Sequence, residues 1–217
     1  QVQFVGVGAT RSLLRRITEM QINSARHCNP LTQLPGNVPI YEYVEFLLAN
    51  DEDFHVAYCD LNHFKPYNDM YGYARGDAVL QMTADILRRH SAPGDFIGHI
   101  GGDDFVVILQ SQDWQLRCEA ILADFDLEIR RHYPTQALEQ GGVYCEDRRG
   151  HTAFLPLTGL AIGVVHPDPA QCIGHNDVAA LATAAKHQAK KMPGSALFVS
   201  RRRASLVLAP ERSASVA

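Results

Sequence analysis

Long apolar runs are missing from this sequence. None of its hydrophobic stretches approaches the roughly 20 residues that a membrane-spanning helix needs. Nothing at its start has the basic-then-apolar pattern of a secretory leader. An excess of one charge is missing too. Twenty Lys and Arg stand against 24 Asp and Glu, a net charge of −4, so neither nucleic acid nor an anionic membrane surface is expected as a partner. Cysteine is sparse and unpatterned. Cys28, Cys59, Cys118, Cys145 and Cys172 are odd in number and widely spaced, with no C-x-x-C pair. That argues against a disulfide framework or a zinc ribbon and for free thiols in a reducing, cytoplasmic setting. The chain opens on Gln1 rather than Met, and the expectation is a piece of a longer protein.

What is present is an ordinary globular composition, with 46% hydrophobic and 20% charged residues over 217 positions. That is enough for one domain with attachments. Residues 10–27 are expected to form a helix, with Leu13, Leu14, Ile17 and Met20 as its apolar stripe, either a connecting element or one packed on its own domain. The Pro-, Asn- and Gly-rich stretch 29–40 marks the start of the folded domain. The expected organisation is a connecting helix over 1–28, a domain over 29–200 and a disordered Ser- and Ala-rich tail over 201–217. Within the domain, 54–61 reads as a central strand, 76–90 as a helix and 96–109 as a hairpin. Further on, 113–131 reads as a helix, 153–165 as a strand, 176–191 as a helix capped by Asn176 or Asp177, and 196–200 as a last strand. Interleaved strands and helices with one clear hairpin indicate an α/β layer fold whose sheet is at least partly antiparallel.

The chemistry concentrates at the hairpin tip, Gly101-Gly102-Asp103-Asp104. Glycine permits the positive φ of a tight turn and leaves room for a bulky anionic ligand. Gly and Asp are also common in hairpins for purely local reasons. The second signal is Asp60, at the end of the central strand. If that strand lies beside the hairpin, Asp60 and Asp103 can meet at one edge of the sheet. Two carboxylates and a backbone carbonyl make a hard, oxygen-only site of the kind Mg²⁺ takes beside a phosphate chain. Between them, Lys65 is a candidate phosphate contact, and Asn68 with Asp77 offers the amide and carboxylate that would suit guanine. As local features, Asn68 and Asp77 are equally consistent with helix caps and turns.

The segments "NPLTQLPGN", "CDLNHFKPYNDMYGYARGD" and "GGDDF" resemble, in order and spacing, the GGDEF family of diguanylate cyclases over residues 29–200. The resemblance implies a central five-stranded sheet wrapped by helices, similar to adenylyl cyclase catalytic domains and polymerase palms. It implies condensation of two GTP into cyclic di-GMP and pyrophosphate by two such domains acting as a homodimer. Mg²⁺, or Mn²⁺ in its place, is the implied metal, held by Asp60, the Leu61 carbonyl and Asp103. Asp103 and Asp104 are the implied catalytic acids, with Asp103 activating the nucleophile. Lys65, Asn68, Asp77, Gly101, Gly102, Lys186 and Lys190 are the implied substrate contacts, the last two as a basic pair for the β- and γ-phosphates. Regulatory domains linked in the same polypeptide, of the kind found with EAL and CBS modules, are the implied neighbours.

Several positions depart from the family pattern. Asp104 stands where Glu is usual, which shortens its reach by one methylene; a shift of about 1 Å costs about a hundredfold in rate. His99 stands in place of an arginine, Asn62 in place of an Asp, Tyr73 in place of a His, and Asn29 in place of the first Asp of "DPLT". The family's feedback site pairs an Arg with an Asp three residues on. Asp95 fits the Asp, but Ala92 occupies the Arg position, so product inhibition through it is not expected. The alternative function is a weak or inactive domain that binds GTP and regulates its neighbour. Residues 141–157 are expected to be an inserted hairpin turning at "DRRG".

Overall fold

The computed structural model describes residues 27–146 and 152–201. The expected helix over 10–27 (apart from its last residue), the "DRRG" turn at 147–150 and the tail beyond 201 lie outside the described residues.

The central strand β1 (His55–Leu61) is buried at Val56, Ala57, Cys59, Asp60 and Leu61, as its near-continuous apolar run requires. The hairpin is β2 (Phe96–Gly101) and β3 (Asp104–Leu109). With β6 (Leu160–Val165) and β7 (Ala196–Val199), these strands form a five-stranded sheet in the order β2-β3-β1-β6-β7. Every pairing is antiparallel except β6 with β7. The fold is thus the mixed α/β layer with a mostly antiparallel five-stranded sheet that the sequence indicated.

Helices cover both faces. Alternate residues Ala57, Cys59 and Leu61 of β1, with Phe105 and Val107 of β3, pack with α3 (Tyr73–His90) and α4 (Trp114–Glu128). The other parity, Val56 with Val106 and Ile108, packs with α1 (Asn37–Ala49) and α6 (His175–Ala189). Full burial of such side chains stabilises the fold by about 1.5–3 kcal/mol each. Between β1 and α3 lies the short helix α2 (Phe64–Tyr71). The helix α5 (Thr135–Gln140) precedes a separate two-stranded sheet, β4 (Gly142–Glu146) with β5 (Thr152–Pro156). That sheet is the hairpin expected over 141–157.

Four boundaries differ from the sequence reading. The strand expected over 153–165 is two strands with different partners. β5 pairs with β4 and β6 with β1, and the break is held by the Thr158 N–H donating to the Tyr133 hydroxyl at 3.0 Å. Helix α3 begins at Tyr73 rather than 76, because Gly72, at φ 84°, turns the chain directly from α2 into it. The helix expected to end at 131 gives way at Ile129 to a turn of 3₁₀ helix, Ile129–His132. Helix α6 is preceded by Gly174, and neither Asn176 nor Asp177 caps it from that position. Asp177 instead accepts a hydrogen bond from the Ile173 N–H at 2.8 Å.

One glycine decides how closely α6 can sit. A Cβ on Gly163 would fall 2.2 Å from the Lys186 nitrogen and 2.4 Å from the Ala185 carbonyl carbon. The helix backbone therefore rests directly on β6. That contact sets the height of Lys186 above the sheet.

Candidate active site

The register of β1 against β3 puts Asp60 opposite Asp104, with Ala161 of β6 on the other side of Asp60. By the two-residue period of a strand, Asp60 and Asp104 share a face with Tyr58 and Val106, the face under α6. The expected meeting of Asp60 with Asp103 is therefore shared among three acids. Asp104 is the direct cross-strand neighbour, and Asp103 stands at the adjacent turn, where Gly101 and Gly102 adopt φ of 149° and 59°.

Helix α6 lowers two ammonium groups onto these acids. Lys186 Nζ lies 2.9 Å from Asp104 Oδ1 and 3.2 Å from Asp60 Oδ2, and Lys190 Nζ lies 2.5 Å from Asp60 Oδ1. Both ammonium groups of the basic pair expected at the phosphates rest on Asp60. Lys186 is 9% exposed, and its ammonium lies 4.3 Å from the centre of the Tyr58 ring. Tyr58 escaped the sequence reading, although its strand parity with Asp60 was a usable signal. Burial works to lower the Lys186 pKa, but the hydrogen bond and charge of Asp104, with the charge of Asp60, outweigh it and hold the ammonium above its ordinary value. Burial raises the Asp104 carboxyl against the opposing pull of Lys186, and the Asp60 charge adds to the rise. Asp103 is raised by burial first and then by the charge of Asp60. It makes no ion pair among the described residues.

This donor set suits a hard divalent cation. Asp60 and Asp103 supply carboxylate oxygens, the Leu61 carbonyl lies one residue on, and the carboxylate charge that raises Asp103 would be offset by a cation. Among the described residues no group of three His, Cys, Asp or Glu side chains could hold a metal alone. A phosphate chain would have to complete the coordination.

The other expected contacts lie on α2 and α3. Lys65 and Asp77 are exposed. Asn68 Oδ1 is buried and has no hydrogen-bond partner among the described residues. It rests against Gly76, where a Cβ would come within 1.8 Å of it, and so stands beside the turn of α3 that carries Asp77. Buried acceptors are normally paired, so this oxygen is an open position for a donor.

The departures from the family pattern have local duties. Asn62 Nδ2 donates to the Gly194 carbonyl at 3.0 Å. Asn29 Oδ1 accepts from the Leu31 and Thr32 N–H groups at 2.9 and 3.1 Å, the turn bonds an Asp would accept. Asp95 accepts from the N–H groups of Ala92, Gln110 and Ser111 at 2.8, 3.0 and 3.2 Å, so its carboxylate closes a loop. His99 is buried between Thr32 and the signature turn. Thr32 lies in the quoted "NPLTQLPGN" segment, but no role was expected of it.

The sequence profile described as "Diguanylate cyclase, GGDEF domain" matches residues 26–150, more than half of the chain. The chain belongs to the GGDEF family. Among curated relatives, this GGDEF chain is 33% identical over 118 residues to "Diguanylate cyclase DgcP" of Pseudomonas aeruginosa. It is 32% identical over 104 residues to "Bifunctional diguanylate cyclase/cyclic di-GMP phosphodiesterase MucR" of the same organism. These matches cover 47% and 46% of the chain but only 18% and 15% of the relatives. Among solved structures, the GGDEF fold is shared with the diguanylate cyclase SiaD of P. aeruginosa, in complex with its activator SiaC, at a TM-score of 0.65 and 20% identity. That match covers 89% of this chain and 69% of SiaD. The coiled coil and GGDEF domain of DgcB from Caulobacter crescentus, in complex with c-di-GMP, aligns at a TM-score of 0.65 and 18% identity, covering 89% of this chain and 96% of that one. Among the described residues no helix is long and apolar enough to cross a membrane.

Proposed function

We propose that this GGDEF domain is a diguanylate cyclase, condensing two GTP into cyclic di-GMP with release of two pyrophosphates. The observation that carries the reading is the cluster itself: Asp60 and Asp104 in cross-strand register, Asp103 at the adjoining glycine turn, and Lys186 and Lys190 seated on the acids. Asp60, the Leu61 carbonyl and Asp103 would hold Mg²⁺, or Mn²⁺ in its place. Bound there, the metal supplies Lewis-acid polarisation of phosphoryl oxygens.

The remaining work falls to the chain's own groups. The Asn68 amide and the Asp77 carboxylate bind the guanine edge, which supplies a partner for the open Asn68 oxygen. Gly101 and Gly102 leave the backbone bare, so the triphosphate can approach the turn. Lys65, Lys186 and Lys190 meet the phosphates, the latter two exchanging carboxylate for phosphate oxygens. Asp103 takes the proton of the attacking 3′-hydroxyl. The hydroxyl oxygen bonds to the α-phosphorus of the facing GTP as the bond to pyrophosphate breaks. A second such step closes the ring. One domain holds one GTP, so two domains must face each other.

A second reading is a GTP-binding domain that regulates a neighbour without turnover. It is favoured by Asp104 in its shortened form and by lysines already engaged with carboxylates. Chromatography of products after incubation with GTP and Mg²⁺ separates the two. The cyclase reading expects cyclic di-GMP from the unaltered chain and at least a hundredfold less from Asp103→Ala with an unchanged circular dichroism spectrum. Equal product from both would remove Asp103 from the chemistry.

A further inference from the structure

The signature turn has little of its own to hold it. Gly101 and Gly102 carry no side chains, and the β2–β3 register shifts between His99 and Gly101. Asp104 is held by its register with Asp60 and by Lys186, whereas Asp103 follows the main-chain position of Gly102. His99 holds that position. It is 2% exposed and stacks on Phe105 with ring centres 4.1 Å apart. Its Nε2 lies 3.0 Å from the Gly102 carbonyl oxygen, its Nδ1 lies 2.9 Å from Thr32 Oγ1, and its backbone N–H donates to the Pro35 carbonyl at 2.8 Å.

The directions of these bonds follow from the chemistry of the partners. A carbonyl oxygen only accepts, so Nε2 must carry the proton. In the neutral ring Nδ1 is then a lone pair, and the Thr32 hydroxyl donates to it. Burial lowers the His99 pKa and so favours this neutral form. Thr32 is itself fixed. It is 4% exposed, its N–H donates to Asn29 Oδ1, and its carbonyl accepts from the Arg88 guanidinium.

Resting on the cyclase reading above, we propose that His99 is a positioning residue for the signature turn, and that the Thr32 hydroxyl, by donating to Nδ1, holds the ring in place against the Gly102 carbonyl. Without that hydroxyl, Nδ1 is a buried acceptor with no donor. That cost is relieved if the ring shifts towards another donor and away from the Gly102 carbonyl. The turn is then released and Asp103 loses its place, although the stack on Phe105 persists.

The test compares Thr32→Val, which keeps shape and removes the hydroxyl, with Thr32→Ser, which keeps the hydroxyl, and with His99→Phe, which keeps the stack. The 217-residue chain is used throughout. Thr32→Val and His99→Phe are expected to lower kcat at least tenfold with KM for GTP within twofold. Thr32→Ser should stay within twofold of the unaltered chain in both. The double variant should be no slower than His99→Phe, because both changes break one relay. Thr32→Ser as slow as Thr32→Val, KM rising in step with the fall of kcat, or fully multiplicative losses would overturn the proposal. If the unaltered chain makes no cyclic di-GMP, the cyclase reading fails and hydrogen exchange decides the relay separately. Faster exchange across residues 99–105 in Thr32→Val but not in Thr32→Ser sustains it; equal exchange in both overturns it. Should His99→Phe not fold, the two Thr32 variants decide alone.

Discussion

Asp104 is where a small change of residue has the largest local consequence. The side chain is one methylene shorter than the glutamate usual there, and Lys186 reaches it at 2.9 Å while also touching Asp60. One ammonium therefore serves two carboxylates that the sheet register forces together. Lys186→Met should leave Asp104 without a cation and destabilise the fold by about 3 kcal/mol in urea unfolding. A loss below about 0.5 kcal/mol would mean the pair behaves as a solvent-screened surface contact. Asp95 is the opposite case, the acid of a feedback motif that lacks its arginine, and it ties down three backbone N–H groups. Asp95→Ala should lower stability by about 1–3 kcal/mol. Added cyclic di-GMP should leave the initial rate unchanged in both chains. Inhibition that disappears with the variant would show that Asp95 binds product without its arginine. Asp60 and the glycine turn were legible from the strand and hairpin pattern, and Lys186 and Lys190 only through the resemblance to the GGDEF family. Thr32 and the direction of the His99 bonds were not, because they depend on contacts across 67 positions of sequence.

At the scale of elements, the decisive relation is that of α6 to the sheet. The helix can lower its lysines onto Asp60 and Asp104 because Gly163 lets its backbone lie against β6. Gly163→Ala should lift the helix, destabilise the domain by about 3 kcal/mol, the upper end for overpacking, and reduce GTP turnover more than Ala substitution at an exposed helix position. Calorimetry and initial rates measure both; unchanged values would show that α6 has slack. A near-continuous apolar run revealed β1, the glycine turn between apolar runs revealed the β2–β3 hairpin, and the placement of apolar residues revealed the bodies of α3, α4 and α6. The sequence pattern missed the break between β5 and β6, which falls at Leu157-Thr158-Gly159 within an otherwise mostly apolar stretch and is held by a partner, Tyr133, from elsewhere in the chain. It placed the α6 cap on Asn176 or Asp177 because polar side chains are the usual signal, whereas the chain uses Gly174.

For the whole molecule, strand order is the feature a single sequence conceals. Only the β2–β3 and β4–β5 hairpin pairings could be read locally; β1 between β3 and β6, and the parallel β6–β7 pair, are long-range arrangements. That order is what brings Asp60, Asp104 and α6 to one place, and it is shared with other GGDEF domains at low identity. In the proposed reaction each cluster holds one GTP, so two molecules must meet. The most direct measurement is the rate of product formation per chain, with saturating GTP and Mg²⁺, across a wide range of protein concentration. The cyclase account predicts cyclic di-GMP, with a rate per chain that climbs with concentration until the dimer is saturated. A sample that binds GTP yet yields no cyclic di-GMP at the highest concentration would contradict it.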